Sequence, residues 1–336
     1  MLTGQLKNDI DKLWEKFWTG GITNPLTVIE QISYLMFARM LDMQEEVAER
    51  KAARSKKEFD RLFPNTPEGQ LLRWKNFKNP SGKEPHKHLK NPVYPYFASL
   101  GQHAEEEGLG SEGSAAQALG HIGEYMQDAD LEIKNESVLV SAVEMVDNLP
   151  LTQSDVKGDI YEYLLSKLTT AGINGQFRTP RHIIKLLADL VQPQLGHKIA
   201  DPACGSGGFL LGAYQYIVTQ LALKSLKKKE REALEPDEDG FVRTSVAAAY
   251  DEKRQAILNA SLWGYDIDST MVRLGLMNLM MHGIDEPNID YKDTLSKSYT
   301  QEAEYDIIMA NPPFTGSIDK GDINENLKLA TTKSEL

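Results

Sequence analysis

Two short stretches of this 336-residue sequence carry the residues with most chemistry to offer: "DPACGSGGF" at 201–209 and "NPPF" at 311–314. In the second, consecutive prolines donate no backbone hydrogen bond, so a fixed turn and its carbonyls remain. Asn311 adds a side-chain carbonyl. With the Pro312–Pro313 turn it can accept both hydrogens of an exocyclic amine and leave the nitrogen lone pair facing outward. Phe314 offers a face on which a planar base stacks. In the first stretch, Gly205, Ser206, Gly207 and Gly208 follow the acidic Asp201 and precede an apolar helical pattern. Backbone amides at such a turn suit a phosphate, yet no lysine follows as in a P-loop. Leu210 also stands where the dinucleotide fingerprint needs its third glycine. A ligand with an amino-acid moiety and a nucleoside fits better. Asp266 and Asp293 extend the pattern. The first is placed to accept hydrogen bonds from both ribose hydroxyls, the second from an adenine amino group. Either acid alone reads as a turn cap.

These residues need a scaffold that brings distant segments together. After residue 196 the rhythm is strand, glycine turn, helix, strand: "HKIAD", "LWGYDI", "NIDYKD" and "YDIIMA" alternate with helical patterns. Such alternation predicts a parallel sheet flanked by helices, with ligands beyond the carboxyl ends of the strands where strand order reverses. Asp201, Asp266 and Asp293 each close a strand, and Asn311 follows the fourth. Upstream, Thr179 before Pro180 reads as a hydroxyl cap and a helix start, with Ile183, Leu186, Leu187, Leu190 and Val191 as the buried face. The segment 225–258 is longer than a connection needs and reads as a helical or mobile insertion. Residues 1–60 read as helical, with Ile29, Ile32, Leu35, Met36 and Met40 at three- and four-residue spacings. The chain thus divides into a helical domain over 1–150 and an α/β domain over 151–336.

Composition narrows the classes. An apolar fraction of 41% and a charged fraction of 26% are those of a globular protein. A formal charge of −12 argues against a self-sufficient nucleic-acid binder. Locally, "RWKNFKNPSGKEPHKHLK" is basic and carries aromatics. It reads first as a solvated loop region and second as a surface for a phosphate backbone. His86 and His88 lack further ligand-type spacing, so no metal site is predicted. One cysteine excludes an internal disulfide and points to a reducing compartment. No signal peptide opens the sequence and no apolar run is of membrane-spanning length, so a soluble cytoplasmic protein is expected.

"DPACGSGGFL" with "NPPF" resembles the amino-methylating DNA methyltransferases that use S-adenosylmethionine. Together with "GQFRTPRHI", "YKDTL" and the N-terminal "ITNPLTVIEQISYLMFARMLD", the set resembles the modification subunit of type I restriction-modification systems. The resemblance implies a Rossmann-like methyltransferase fold with a central, largely parallel sheet, preceded by a mainly helical interaction domain. It implies methyl transfer to adenine N6 in double-stranded DNA, without metal or covalent enzyme intermediate. The tetrad Asn311, Pro312, Pro313 and Phe314 would bind the flipped adenine. Gln176, Phe177, Arg178, Thr179, Pro180 and Arg181 would line the cofactor site, with Asp201, Ala203, Gly205, Ser206, Gly207, Gly208, Asp266 and Asp293. Aspartate at 266 replaces the glutamate common there, and Arg178 stands where an aromatic is common. Implied partners are a specificity subunit, a restriction subunit and a second modification subunit. Family members continue well past Phe314, so the sheet is expected to be incomplete and the chain a fragment, a truncated product or half of a split protein. Two other readings stay open: a protein-glutamine methyltransferase, and a non-catalytic assembly or DNA-clamping protein.

Overall fold

The first helix, α1 (Gly4–Thr19), sets Ile10, Leu13 and Phe17 on one face, and all three are buried. α2 (Pro25–Ser55) begins at Asn24, whose carboxamide accepts from Leu26 N at 3.0 Å, with Pro25 where a missing N–H costs nothing. Of the predicted stripe, Ile29, Ile32, Leu35 and Met36 are buried and Met40 is half-buried. Gln31 and Ser33 are buried too, so this part of the helix is covered all round. Its polar groups must therefore bond internally. Gln31 donates to Asp130 O at 2.9 Å and accepts from Glu132 N at 3.0 Å. Ser33 donates to Ile29 O at 2.7 Å. α3 (Tyr94–Glu106), α4 (Glu136–Asp147) and α5 (Ser154–Thr170) continue this helical unit, with shorter helices between α2 and α3. In a computed structural model the chain is described except at residues 1, 3, 57, 60, 78–83, 107–122, 124–125, 127–128, 153, 171–177, 233, 235, 238, 243–251, 285–286, 314–320 and 328–336.

The basic stretch is not simply a solvated loop. Arg73 and Trp74 are buried, Arg73 bonding Asp42 at 2.6 Å and Glu49 at 2.7 Å, and Trp74 donating to Asp147 at 2.8 Å. Hydrogen bonding to Arg73 holds the Glu49 carboxyl below its ordinary range. Lys90 pairs with Asp130 at 2.6 Å. Arg73 is thus neutralised internally, whereas Lys90 is paired at the surface.

The chain divides into compact units at 1–168 and 169–336. The division falls after the domain boundary read at 150, because α5 packs with the N-terminal helices. The Tyr161 hydroxyl of α5 lies within hydrogen-bond distance of Ser33 Oγ at 3.2 Å, and Tyr163 donates to Asp11 at 2.7 Å.

The second unit is built on β1 (Ile199–Asp201), β2 (Leu262–Asp266), β3 (Asn288–Tyr291) and β4 (Ile307–Ile308). All neighbours pair in parallel, in the order β3-β2-β1-β4. Ala200 stands opposite Trp263 on one side and Ile308 on the other. Strand order therefore reverses at β1, between β2 and β4. Around the sheet run α6 (Arg181–Val191), α7 (Gly208–Ser225), α8 (Glu252–Asn259) and α9 (Ser269–Met281). Among the described residues no helix is long and apolar enough to cross a membrane.

α6 corrects the sequence reading. It buries Ile184 and Ala188, while Ile183, Leu186, Leu190 and Val191 stand 38–71% exposed and Leu187 is half-buried. The face was chosen by its neighbour. α7 presents Gly208 and Gly212 one turn apart, and Ile184 fills the groove they leave: a Cβ at Gly212 would lie 2.2 Å from Ile184 Cγ2. Shape outweighed summed hydrophobicity here. Gly212→Ala is expected to cost about 1–3 kcal/mol through overpacking, read as a lowered denaturation midpoint.

Described residues of the segment 225–258 bond to one another and to these helices. Asp237 N donates to Phe241 O at 2.8 Å, and Phe241 N donates to the Asp237 carboxylate at 2.8 Å, closing a turn. Arg181 of α6 holds that turn through Asp237 at 3.0 Å and Asp239 at 2.7 Å. Val242 N donates to Thr219 on α7 at 3.0 Å.

Candidate active site

The glycine turn leaves β1 at its carboxyl end. Asp201 is 1% exposed, and its carboxylate accepts from Ala203 N at 3.1 Å, folding the chain into an Asx turn. Cys204 N then reaches Tyr265 O on β2 at 2.9 Å. Gly205 and Gly207 take φ of +53° and +75°, where a side chain would be strained, and Gly207 caps α7. A Cβ on Gly205 would meet nothing within 4 Å, so the turn opens onto free space.

Asp266 ends β2 and faces this turn. One carboxylate oxygen accepts from Gly205 N at 2.9 Å and the other from Asp268 N at 2.9 Å. It braces the turn directly, a role the sequence did not disclose, and each oxygen retains a second lone pair. Burial raises the pKa of Asp266. Burial, with the Asp266 charge nearby, pushes Asp201 up to about 7. Cys204 is buried beside both acids, and its thiol is driven well above the ordinary range by burial first.

Asp293, two residues past β3, is exposed and accepts from Leu295 N at 2.9 Å. Its neighbour Thr294 donates to Pro202 O at 3.0 Å, tying the end of β3 to the turn after β1. β4 is held beside β1, with Met309 N on Ala200 O at 3.0 Å. Asn311 and Pro312 therefore emerge at the same end of the sheet as the glycine turn, on the adjacent strand.

The segment before α6 also arrives here. Asn311 Nδ2 donates to Thr179 Oγ1 at 3.1 Å, across 132 residues of sequence. This corrects the reading of Thr179 as a helix cap. Pro180 occupies the cap position, its carbonyl accepting from Ile183 and Ile184 at 2.9 and 3.1 Å, with no side-chain cap bond. The hydroxyl is engaged by Asn311 instead. Arg178 is half-buried next to it, and Arg181 is committed to Asp237 and Asp239. Gln176, Phe177 and Phe314 lie outside the described residues.

Sequence reasoning missed Thr294 and two residues of α9. Gly275 approaches the turn so closely that a Cβ there would lie 3.0 Å from Gly205 O. Asn278 donates to Ser206 O at 2.8 Å. The signal was present in "GLMNLMMHG", where one carboxamide interrupts an apolar helix. Among the described residues no cluster of His, Cys, Asp or Glu could hold a metal ion.

Residues 6–146 match the HsdM N-terminal domain and residues 152–334 match the N-6 DNA methylase family. The chain is similar to the type I restriction enzyme EcoEI methylase subunit of Escherichia coli, 27% identical over 308 residues, covering 90% of this chain and 54% of that protein. It is similar to the MjaIX methylase subunit of Methanocaldococcus jannaschii, 34% identical over 165 residues, covering 48% and 23%. Among solved structures, a modification subunit from Vibrio vulnificus YJ016 superposes with a TM-score of 0.70 at 21% identity, covering 98% of this chain and 65% of that one. That likeness shows a shared fold. The chain spans only about half the length of the EcoEI relative. With more than half of its residues matched by one family and the glycine turn and Asn311 at one end of the sheet, the chain belongs to the N-6 DNA methylase family.

Proposed function

We propose that this chain carries the catalytic region of a site-specific adenine-N6 DNA methyltransferase, the methylation subunit of a type I restriction-modification complex. The observation that carries the reading is the meeting of Asn311 with Thr179 at the carboxyl end of β4, beside the glycine turn of β1. The donation to Thr179 leaves Asn311 with its carbonyl oxygen as acceptor. That oxygen and the Pro312 carbonyl accept the two amine hydrogens of adenine and free the nitrogen lone pair for attack. An adenine must leave the duplex to reach them, at a cost of a few kcal/mol that stacking on Phe314 partly offsets.

The cofactor proposed is S-adenosylmethionine, and the residues fit it. The free space at Gly205 is a cradle that a Cβ would fill, and the carboxylate of Asp266 stands beside it. Gly205, Ser206, Gly207 and Gly208 would hold the amino-acid end and Asp266 the ribose, with Asp201 and Ala203 shaping the turn, Asp293 toward the base, and Arg178 to Arg181 at the rim. When bound, S-adenosylmethionine supplies an electrophilic methyl group on a positively charged sulfur. Fixing the amine within reach of that group is the protein's contribution, and proximity of this kind can supply several kcal/mol. Double-stranded DNA, a specificity subunit, a restriction subunit and a second methylation subunit are the partners proposed, and the cytoplasm the compartment.

Tritiated-methyl transfer tests the reading, with adenine-containing DNA and with a specificity subunit present or omitted. Label is expected in DNA as N6-methyladenine and to depend on the specificity subunit. Label in protein but not DNA would replace this reading with the protein-glutamine one, against which the match of residues 6–146 already weighs. Cofactor binding with no label in either would leave an assembly or clamping role.

A further inference from the structure

Asn278 is fully buried in α9, in the apolar run Leu276, Met277, Leu279 and Met281. Its Nδ2 donates to Ser206 O at 2.8 Å, while its Oδ1 is buried without a hydrogen-bond partner among the described residues. A leucine, which shares the branching at Cγ, would leave no side-chain acceptor buried and unpaired, a group that loses its hydration with no return, and leucine is the better helix former. Stability therefore does not explain the carboxamide. Its one bond falls on Ser206, the residue between the two left-handed glycines of the turn. One turn earlier on the same helix face, Gly275 lets α9 come within van der Waals range of Gly205 O and Gly207.

We infer that Asn278 is a positioning residue: it draws the Ser206 carbonyl down onto α9, which fixes the direction of the Gly205 and Gly207 amides and so the shape of the cofactor cradle. Gly275 supplies the close approach and Asn278 the directional bond. Neither residue needs to touch the ligand. Only the affinity arm of the test below rests on the proposed cofactor; the geometric arm stands without it.

The test compares the wild-type chain with Asn278→Leu and Asn278→Ala. Three quantities are measured: the denaturation midpoint, amide hydrogen exchange at residues 204–207 without ligand, and the Kd for S-adenosylmethionine. Gly205 N and Gly207 N are both hydrogen-bonded in the turn, so their exchange reports its integrity. For Asn278→Leu the midpoint is expected to hold or rise, exchange at Gly205 and Gly207 to quicken at least tenfold, and Kd to rise about tenfold. Asn278→Ala, which has no group to donate to Ser206 O and adds no bulk, should show the same exchange and affinity changes, and it decides the matter if the leucine variant does not fold. Unchanged exchange at 205 and 207, or a loss of affinity wholly matched by a lowered midpoint, overturns the inference. If wild type binds no S-adenosylmethionine, the cofactor reading fails while the exchange result still decides the role of Asn278.

Discussion

Asn311→Ala is expected to lower methyl transfer to adenine about a thousandfold, while the Kd for S-adenosylmethionine stays within about twofold. The magnitude follows from removing one preorganised acceptor from the reacting amine, an effect on the order of 4 kcal/mol in comparable sites. The selectivity follows from the structure. Asn311 lies after β4, whereas the cradle is made by the β1 turn and braced from β2 and α9. The only described bond that the substitution removes is the one to Thr179, worth about 1 kcal/mol of stability. Single-turnover methylation and calorimetric titration with cofactor separate the two quantities. A large loss of cofactor affinity would show that Asn311 shapes the cradle, and the division of roles between the two motifs would fall.

The second large effect concerns Asp201. Its folded pKa of about 7 lies above the ordinary carboxylate value of 3.8, so the folded state holds a proton that the unfolded chain has released between those values. The unfolded state then binds fewer protons, and stability falls as pH rises through that window, levelling off above it. Asp201→Asn removes the titration while keeping an oxygen to accept from Ala203 N. Its advantage over wild type is therefore expected to grow by about 3 kcal/mol between pH 4 and pH 7, because each tenfold difference in proton affinity between the two states is worth about 1.4 kcal/mol. Denaturant unfolding at pH 4, 5.5, 7 and 8 measures it. A constant difference across that range would mean Asp201 is ionised in the folded protein.

Much of the site could be read from sequence, and the reason is local. A parallel strand buried on both sides reads as a short apolar run. When such runs end in Asp201, Asp266 and Asn311, their ends mark one edge of the sheet before any contact is known. The glycines of 205–208 were legible because left-handed turns leave few alternatives. What could not be read depended on partners far along the chain. Thr179 before Pro180 satisfies every local rule for a cap, yet a residue 132 positions away takes its hydroxyl. Arg73 looked like part of a cationic surface because nothing within its own stretch announced Asp42 and Glu49. The apolar rows of α6 were ranked by hydrophobicity, while the glycine groove of α7 selected Ile184 by shape. Asn278 bears on a carbonyl 72 positions earlier, and no periodicity encodes that.

The seating of Ile184 between Gly208 and Gly212 has a mechanical consequence. α7 starts where the glycine turn ends, and α6 starts two residues after Thr179. A branched side chain lodged in a notch works as an indexing peg: α6 can neither slide along α7 nor roll against it without lifting Ile184 out. The spacing between Thr179 and the turn is thereby gauged by a single aliphatic side chain. Whatever Thr179 holds is set to the same gauge.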